Sequence, residues 1–381
     1  MKTINQSNRS DTAKVGIITM HKVLNYGSAL QAYATQYVLV KLGVSCEIID
    51  YIYPNEYHKK KRSIIAVLRS FLFELISGFA QKRKQKLFDT FFKDYFKLSE
   101  RSYNSPAEII ANPPVYDTYL AGSDQIWNIR HTNCDKVFFL SFAPKDVKKI
   151  SYASSFGKIA ANDDFLKQIT NDLTDFSALS VREQNGKQII KNLIKKEAPV
   201  CLDPTLLLNK NEWGRLVQQS GLKIDKPFAL VYILKYAYDP YPFATDFIRK
   251  VHEATGLHLV LLCFSASQRL GIKDATYLYD GVSPCDFLYL FKNASLVITT
   301  SFHGTAFALN FERPFYSILD DNVTFDDRIY SLLQEVGAED RVVKLNSKVS
   351  DISTEMDYER ISANLQEKRV DSFEYLRKNV E

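Results

Sequence analysis

Short apolar runs that end in small or polar residues recur along the whole chain, and this pattern limits the fold more than any other feature. Residues 15–20 (VGIITM) read as a buried strand, the loop HKVLNYGS follows, and ALQAYATQYVLVKLG reads as a helix that stops at Gly43. The next apolar run, VSCEIIDY, reads as a second strand. A strand, a helical crossover and a second strand form a βαβ unit, whose two strands are parallel. The opening of the chain therefore predicts an α/β fold with a parallel sheet.

The same pattern returns in two groups, which indicates two domains. The first group continues with DTYLAGSD, KKISYASSFG, FSALSVRE and APVCLDPTLLL, and the second begins near Lys226 with FALVYIL, HLVLLCF, SLVITT and RPFYSIL. At 381 residues the chain is longer than one hydrophobic core usually organises. We therefore predict an N-terminal α/β domain over 1–220, a second over 221–350, and a C-terminal helix over 351–381.

Cysteine usage and hydropathy exclude several classes of protein. The five cysteines are scattered and form no CxxC pair, which argues against a disulfide framework and against a zinc site. The polar start MKTINQSNRSDTAK has no apolar core of the kind found in secretory signals, and no run of the chain is long and apolar enough to span a bilayer. We expect a cytoplasmic enzyme.

Positive charge is concentrated in one helical insertion of the first domain, at about 57–101, which carries twelve Lys or Arg and four Asp or Glu. The basic runs KKKR (59–62) and KRKQK (82–86) flank the apolar run IIAVLRSFLFELISGFA. A positively flanked amphipathic helix can lie on an anionic membrane, so one hypothesis is a peripheral contact at the inner face of the membrane. The alternative is that the run packs on the first domain and the lysines are merely solvated.

Six segments, taken in order, resemble the polysaccharide pyruvyltransferase family of capsule and exopolysaccharide synthesis. These segments are NYGSALQAYA (25–34), GSDQIWN (122–128), SYASSFG (151–157), LSVRE (179–183), LDPTLLL (202–208) and TTSFHGTAFAL (299–309). The resemblance implies two Rossmann-like domains that face a cleft, as in the B-type glycosyltransferases, with the acceptor on the first domain and the donor on the second. One departure is Ser301, which stands two residues before the motif histidine where some relatives carry Arg.

The resemblance also implies the reaction. Phosphoenolpyruvate is the co-substrate, and a pyruvate ketal forms on a sugar of a bacterial polysaccharide precursor as phosphate leaves. The acceptor is a sugar or a lipid-linked oligosaccharide. No cofactor, no metal and no nucleic-acid partner are expected.

Donor binding calls for cations and a helix N-terminus, because phosphoenolpyruvate is small and densely anionic. His303 lies where a strand meets a helix, and we predict it to be the general acid; the alternative is a histidine that caps its own helix. Arg182 ends a predicted strand and is a candidate for the donor anion, with a salt bridge to Glu183 or a neighbouring acid as the alternative. Arg328 opens a predicted helix and either binds the donor or pairs with Asp326 or Asp327. The remaining donor-side candidates are Ser301, Gly304 and Thr305.

Acceptor binding is predicted at the first two loops of the N-terminal domain. Asp124 follows a strand and is the candidate base for an attacking sugar hydroxyl, with helix capping as the alternative. A second set of residues is predicted to hold the acceptor, with a structural turn as the alternative: Asn25, Tyr26, Gly27, Ser28 and Gln31. Asp203 and Pro204 are predicted to form a turn rather than to contact substrate.

Two other functions fit the same fold pattern. A nucleotide-sugar glycosyltransferase shares the architecture, and fold alone does not separate the two enzymes. A non-catalytic glycan-binding or assembly subunit would keep the fold without the chemistry, and Ser301 in place of Arg favours this alternative. Phosphate release from phosphoenolpyruvate, with and without acceptor, distinguishes all three.

Overall fold

Two parallel sheets, each covered by helices, make up the protein. The computed structural model describes residues 15–52, 81–129, 131–160, 163–235, 238–262, 272, 275–278, 281–322, 328–349 and 351–380. The first α/β unit contains β1 (Val15–Ile18), α1 (Tyr26–Lys41), β2 (Cys46–Tyr51), α2 (residues 81–95), β3 (Leu98–Tyr103), α3 (Pro106–Ala111), β4 (Thr118–Ala121), β5 (Lys148–Ser151), α4 (Thr170–Thr174), α5 (Gln184–Ile194) and α6 (Pro204–Leu207). The second contains α7 (Lys210–Val217), β6 (Phe228–Tyr232), α8 (Phe243–Thr255), β7 (His258–Leu261), β8 (Ala275–Tyr277), α9 (Pro284–Asn293), β9 (Leu296–Thr299), α10 (Phe302–Asn310), β10 (Phe315–Leu319), α11 (Arg328–Val336) and β11 (Val342–Lys344), and the chain ends in α12 (Tyr358–Val380).

Each sheet reverses its strand order once, and the reversal marks where a ligand crevice forms. The first sheet runs β3-β2-β1-β4-β5, so β1 and β4 are neighbours although two strands separate them in the chain. The second runs β11-β10-β9-β6-β7-β8, and its reversal lies between β6 and β9. In open parallel sheets the loops that leave two such strands diverge and create a crevice at their carboxyl ends. The predicted parallel α/β arrangement is confirmed in both halves of the chain.

Two predicted strands, in FSALSV and APVCL, are wrong. FSALSV meets the edge of the first sheet through a single bridge of Ile150 with Ala178, and it meets APVCL through a single bridge of Val181 with Val200. Serine side chains interrupt the backbone ladder: the Ser180 backbone N–H donates to Ser151 Oγ, and Ala153 N–H donates to Ser180 Oγ. Serine hydroxyls compete in this way for backbone groups that a strand would otherwise pair.

The two units share one apolar core. A single cluster of buried side chains runs from β1 and α1 through α6 and α7 to α9 and α10. Tyr26 of α1 stacks on Phe287 of α9, with ring centroids 4.7 Å apart, and its hydroxyl accepts a hydrogen bond from Val282 N–H at 3.1 Å. Helix α12 returns to the first unit, where Leu202 N–H donates to Ser372 Oγ at 3.0 Å. The sheets are therefore held together along a continuous apolar contact.

Only part of the basic insertion falls within the described residues. Residues 81–95 form α2, as predicted for that stretch, but the helical prediction to about 101 is wrong at its end, because Leu98–Tyr103 is strand β3. KKKR (59–62) and the whole apolar run lie outside the described residues. Lys84 of the second basic run packs with its ammonium group 4.9 Å from the Tyr26 ring centroid. Among the helices in the described ranges, none combines the length and the apolarity needed to cross a bilayer. The membrane-surface hypothesis stays a prediction.

Candidate functional site

The loops after β1 and β4 are tied together by a fully buried glutamine. Gln31 Nε2 donates to Thr19 Oγ1 at 2.8 Å, and Gln31 Oε1 accepts from Ser123 N–H at 3.2 Å. Thr19 Oγ1 in turn donates to the Ser123 carbonyl at 3.1 Å. Because Gln31 is 0% exposed, it holds the two loops in register at the switch point of the first sheet rather than presenting a free amide.

Asp124 is fixed at both carboxylate oxygens by the first domain. Oδ1 accepts from Gln125 N–H at 2.8 Å and caps the 3₁₀ turn Gln125–Trp127, and Oδ2 accepts from Ser28 Oγ at 2.5 Å. The backbone of Asp124 lies in the left-handed region, with φ of 71°. Ser28 belongs to the first turn of α1, which begins at Tyr26 with Asn25 as its cap, rather than to a loop. Helix capping by Asp124 is thus observed, together with a contact to Ser28.

Arg182 pairs with Asp203 rather than with Glu183, so the alternative of a salt bridge to a neighbouring acid is observed. Arg182 Nη1 donates to Asp203 Oδ2 at 2.6 Å, and Nη2 lies 3.6 Å from Asp124 Oδ1. Both Arg182 and Asp203 side chains are almost completely buried. Asp203 also forms the predicted turn, because its Oδ1 accepts from Thr205 N–H at 3.0 Å. One carboxylate therefore has two functions, and the sequence-based interpretation found only the turn.

His303 meets this cluster from the second domain. It lies in the first turn of α10, whose cap Ser301 accepts a hydrogen bond from Gly304 N–H at 3.3 Å. Its Nε2 is 3.6 Å from Asp203 Oδ2, close enough for charge attraction but too far for a hydrogen bond. The other face of the imidazole touches Gly27, since a Cβ added there would lie 2.0 Å from His303 Nδ1. The switch points of the two sheets therefore meet at the Gly27–His303 contact.

Two arginines lie near the ring of Phe302, the first residue of α10. The guanidinium carbon of Arg182 is 4.6 Å from the ring centroid, and that of Arg328 is 5.9 Å from it. Arg328 is in α11, and the residues directly before it lie outside the described ranges. An aromatic face near a guanidinium stabilises the cation. Phe302 thus brings positive charge from both domains to the start of one helix, and the sequence analysis did not single it out.

Some of the residues predicted to bind substrate make their contacts outside the cluster of Arg182, Asp203 and His303. The Thr305 hydroxyl is fully buried and bonds to the Ser301 carbonyl and to Ser317 Oγ inside the second domain. Gly304 of α10 lies against the preceding strand β9 and leaves no room for a side chain, because an added Cβ would lie 2.4 Å from Thr299 Oγ1. Tyr26 is part of the apolar contact between the domains. The structure assigns these three residues packing contacts, and Asn25 caps α1 through Ser28 N–H.

Burial and interaction with nearby cations have opposite effects on the pKa values of the carboxyl groups in the cluster. Burial alone would raise the pKa of the Asp203 carboxyl, but His303, Arg182 and the Thr205 backbone N–H outweigh burial and hold that pKa far below its usual range. Burial likewise opposes ionisation of Asp124, and Arg182, His303 and Ser28 lower its pKa nevertheless. Glu183 behaves in the opposite way, because burial raises its pKa against the lowering effect of Arg182. The site therefore contains two carboxylates and one carboxyl group that retains its proton more easily.

Three buried polar atoms at or next to the cluster lack a hydrogen-bond partner within the described part of the chain. They are Arg182 Nε, Glu183 Oε2 and His303 Nε2. Buried polar groups in folded proteins are nearly always paired, so an unpaired group asks for an explanation such as a catalytic role or a ligand. Three of them on neighbouring residues mark this cluster as the candidate active site.

The lowered carboxyl pKa values predict a specific acid sensitivity. A group whose folded-state pKa lies below its unfolded value stabilises the fold above the unfolded value, and this contribution is lost as the pH falls below about 4. Asp203→Asn removes one such group, so the free energy of unfolding should fall less steeply with acid, by up to about 1.4 kcal/mol per pH unit. Urea unfolding at several pH values between about 6 and about 2.5 gives the free energy of unfolding at each pH, and therefore its slope with pH.

Asp164→Asn is the matched control for acid sensitivity. The Asp164 side chain is 88% exposed and pairs with exposed Lys167, so its removal should leave the slope unchanged. Equal slopes in the wild type and Asp203→Asn would show that Asp203 is not held ionised in the folded protein.

Comparison with known proteins adds a family and a fold. A family model described as polysaccharide pyruvyl transferase matches residues 25–322. A Listeria monocytogenes protein assigned as a UDP-N-acetylglucosamine 2-epimerase is similar in structure, with a TM-score of 0.50, 11% identity and coverage of 96% of this chain and 91% of the other. MnaA of S. aureus, solved with UDP, has a TM-score of 0.49, 13% identity and coverage of 93% and 88%.

The glycotransferase of kitacinnamycin has a TM-score of 0.48 and 12% identity, and the match covers 97% of this chain and 99% of the other. Among curated proteins, none matches the chain significantly. At these identities the solved structures show the fold alone. The two predicted Rossmann-like domains are confirmed, and the Listeria monocytogenes protein shares the fold.

Proposed function

The chain belongs to the polysaccharide pyruvyl transferase family, and on that basis we propose that it transfers the pyruvyl group of phosphoenolpyruvate to a sugar of a polysaccharide precursor. The product is a pyruvate ketal, and phosphate is released. The observation that carries this proposal is the junction of Arg182, Asp203 and His303, where a guanidinium and an imidazole from different domains share one buried carboxylate.

Arg182 is the proposed binding residue for the anionic donor. Its Nε is buried and lacks a hydrogen-bond partner among the described residues, while Nη1 is engaged by Asp203. A guanidinium presents donors in a fork that suits carboxylate and phosphate oxygens. Arg328 adds a second positive charge from the other side of Phe302. These two cations compensate for Ser301, which stands where some relatives have Arg.

His303 is the proposed general acid, and Asp124 is the proposed base. A proton passes from His303 to the methylene carbon of phosphoenolpyruvate, which leaves the adjacent carbon electron-deficient. A sugar hydroxyl forms a bond to that carbon and gives its proton to Asp124. The carbon–oxygen bond to phosphate then breaks, and phosphate leaves with the electron pair and takes the proton from Asp124. A second hydroxyl forms a bond to the same carbon, closes the ketal and gives its proton to His303.

Donor binding also explains how Asp124 can accept a proton. In the structure Arg182 is the strongest of the groups that lower the pKa of Asp124. When Arg182 turns to the anion of the donor, this influence weakens and the proton affinity of Asp124 rises. The base is thus activated when the donor is bound.

Phosphate release tests the proposed reaction. We expect the purified full chain to release phosphate from phosphoenolpyruvate only when an acceptor glycan is present, and the ketal methyl group to appear in the NMR spectrum of that glycan. UDP-sugars serve as the control donors, since a glycosyltransferase would consume them and leave phosphoenolpyruvate intact. Consumption of a UDP-sugar without any turnover of phosphoenolpyruvate contradicts the proposal.

A further inference from the structure

Helix α10 carries a buried polar side chain near each of its ends, His303 in its first turn and Asn310 as its last residue. His303 Nε2 lies 3.6 Å from Asp203 Oδ2, and Asn310 Nδ2 donates to the Thr205 carbonyl at 2.6 Å. Asp203 and Thr205 belong to the same turn, at the start of α6. The first domain therefore contacts both ends of α10 through a single turn of backbone.

The turn at Asp203 is fixed by several hydrogen bonds. Asp203 Oδ1 accepts from the backbone N–H of Thr205 at 3.0 Å and from its hydroxyl at 2.7 Å, and the Thr205 carbonyl also accepts from Trp213 Nε1 at 3.0 Å. Because Oδ1 is occupied in this way, Oδ2 is the oxygen that faces Arg182 and His303. A displacement of α10 along this turn must therefore change the distance between His303 and Asp203.

Arg369 of α12 binds α6 and α10 at the same time. Its Nε donates to the Leu206 carbonyl of α6 at 2.6 Å, and its Nη2 donates to Asn310 Oδ1 at 2.7 Å. A guanidinium is planar and its N–H groups point in fixed directions, so the two bonds fix the separation of their acceptors. Arg369, Asn310 and the α6 backbone thus form a closed ring of hydrogen bonds, which fastens the end of α10 to the first domain.

Helix α10 transmits this attachment to the imidazole. Its residues 302–310 are all buried, and at 1.5 Å per residue His303 and Asn310 lie roughly 10 Å apart along the axis. A closely packed helix moves as a unit, because its neighbours leave no space for it to bend. The position of Asn310 therefore influences the position of His303.

We propose that Arg369 is a positioning residue, which acts through Asn310 to hold the His303 imidazole beside Asp203. Arg369 itself bonds to α6, to α10 and to Gln366 of its own helix, so it influences the reaction through the imidazole. A displacement of about 1 Å can reduce the rate of an enzyme by about a hundredfold. The catalytic part of this proposal rests on the proposed function, whereas the position of the imidazole does not.

Arg369→Met and Asn310→Asp break the ring at different bonds. Methionine is a good helix former and removes both guanidinium bonds. A carboxylate at position 310 has nearly the shape of the amide and still accepts from Arg369, but it cannot donate to the Thr205 carbonyl. Arg377→Met is the matched control, because Arg377 is exposed on the same helix. Thermal unfolding shows whether each variant folds.

The first measurement is the NMR signal of His303, which selective labelling of the six histidines resolves and His303→Ala assigns. Loss of stability alone would not test the proposal, since Arg369 also interacts with the charges of Glu212 and Glu312. We expect the His303 signal to shift in Arg369→Met and Asn310→Asp and to stay in place in Arg377→Met. Because the signal is recorded without substrate, it does not depend on the reaction.

Turnover of phosphoenolpyruvate is the second measurement. The kcat of Arg369→Met should fall by about tenfold or more, with a smaller change in the Michaelis constant, because Arg182 is retained. Adding Arg369→Met to His303→Ala should cost nothing further, because the imidazole that Arg369 positions is already gone. A general loss of structure would instead lower kcat by the same factor in both backgrounds.

A His303 signal that is unshifted in folded Arg369→Met, or in Asn310→Asp if only that variant folds, overturns the proposal. An equal loss of kcat with and without His303 does the same, as does an equal shift of the signal in Arg377→Met. If the wild type releases no phosphate from phosphoenolpyruvate while the signal still moves in Arg369→Met and Asn310→Asp alone, the proposed function fails and the positioning of His303 by Arg369 stands.

Discussion

Gly27→Ala is expected to reduce turnover about a hundredfold, although it adds a single methyl group. The new Cβ would lie 2.0 Å from His303 Nδ1, so the imidazole must leave its position. Loss of a positioned general acid commonly costs this much or more. Alanine is also a better helix former than glycine in α1, so the fold itself should not suffer from helix propensity. Steady-state rates and thermal unfolding measure the two effects separately.

His303→Ala and Gly221→Ala complete this test. His303→Ala should match the loss, and the double variant with Gly27→Ala should be no worse, because both changes remove the same group. Gly221→Ala is the control, since a Cβ there meets open space. A Gly27→Ala enzyme with a wild-type rate would show that the imidazole takes no part in the reaction.

Arg182→Met is expected to lower the free energy of unfolding by about 3–5 kcal/mol. The substitution leaves Asp203 buried without its closest cation, and it removes the nearest positive charge from Asp124. An unpaired buried charge is costly, whereas the methionine side chain still fills much of the space. Urea unfolding at neutral pH gives the free-energy difference.

Arg249→Met and a double variant test whether the burial of Arg182 causes the loss of stability. Arg249 forms an exposed pair with Asp246, and its removal should cost less than about 1 kcal/mol. Combining Arg182→Met with Asp203→Asn should restore part of the lost stability, because the carboxylate that has lost its partner is gone. Equal losses for Arg182→Met and Arg249→Met would mean that the buried pair does not stabilise the fold.

The sheets were predictable because their signal is local. Apolar runs such as VGIITM and SLVITT need no distant partner to be recognised, and the helices between them impose parallel pairing. The prediction failed at FSALSV, where Ser151 and Ser180 exchange side-chain hydrogen bonds with the backbone. A hydrogen bond from a serine hydroxyl to a backbone carbonyl 29 residues away leaves no periodic trace in the sequence.

The sequence predicted which residues form the candidate site better than it predicted the contacts between them. His303 and Arg182 follow apolar runs in different halves of the chain, and the structure brings both to Asp203. Asp203 itself looked like a turn residue because Pro204 follows it, and the turn is real. Its position at the same sheet edge as Arg182 was the available signal, but the partner of a buried arginine depends on how two loops meet in space.

The first turn of α1 shows a second limit. NYGS was interpreted as a loop that could hold an acceptor, but Tyr26, Gly27 and Ser28 are helical. An asparagine followed three residues later by serine is compatible with a loop and with a helix cap, and the packing of Tyr26 on the second domain decides between them.

The return of α12 to the first domain determines how the two domains can move. The chain passes to the second domain after α6 and comes back along α12, and Arg369 Nε in the middle of α12 donates to the Leu206 carbonyl of α6. A single flexible connection would let the domains swivel in any direction. Because two connections lie side by side, the two domains can rotate relative to each other only about the line that joins the connections. Any rotation that separates Gly27 from His303 must also open the apolar contact between Tyr26 and Phe287.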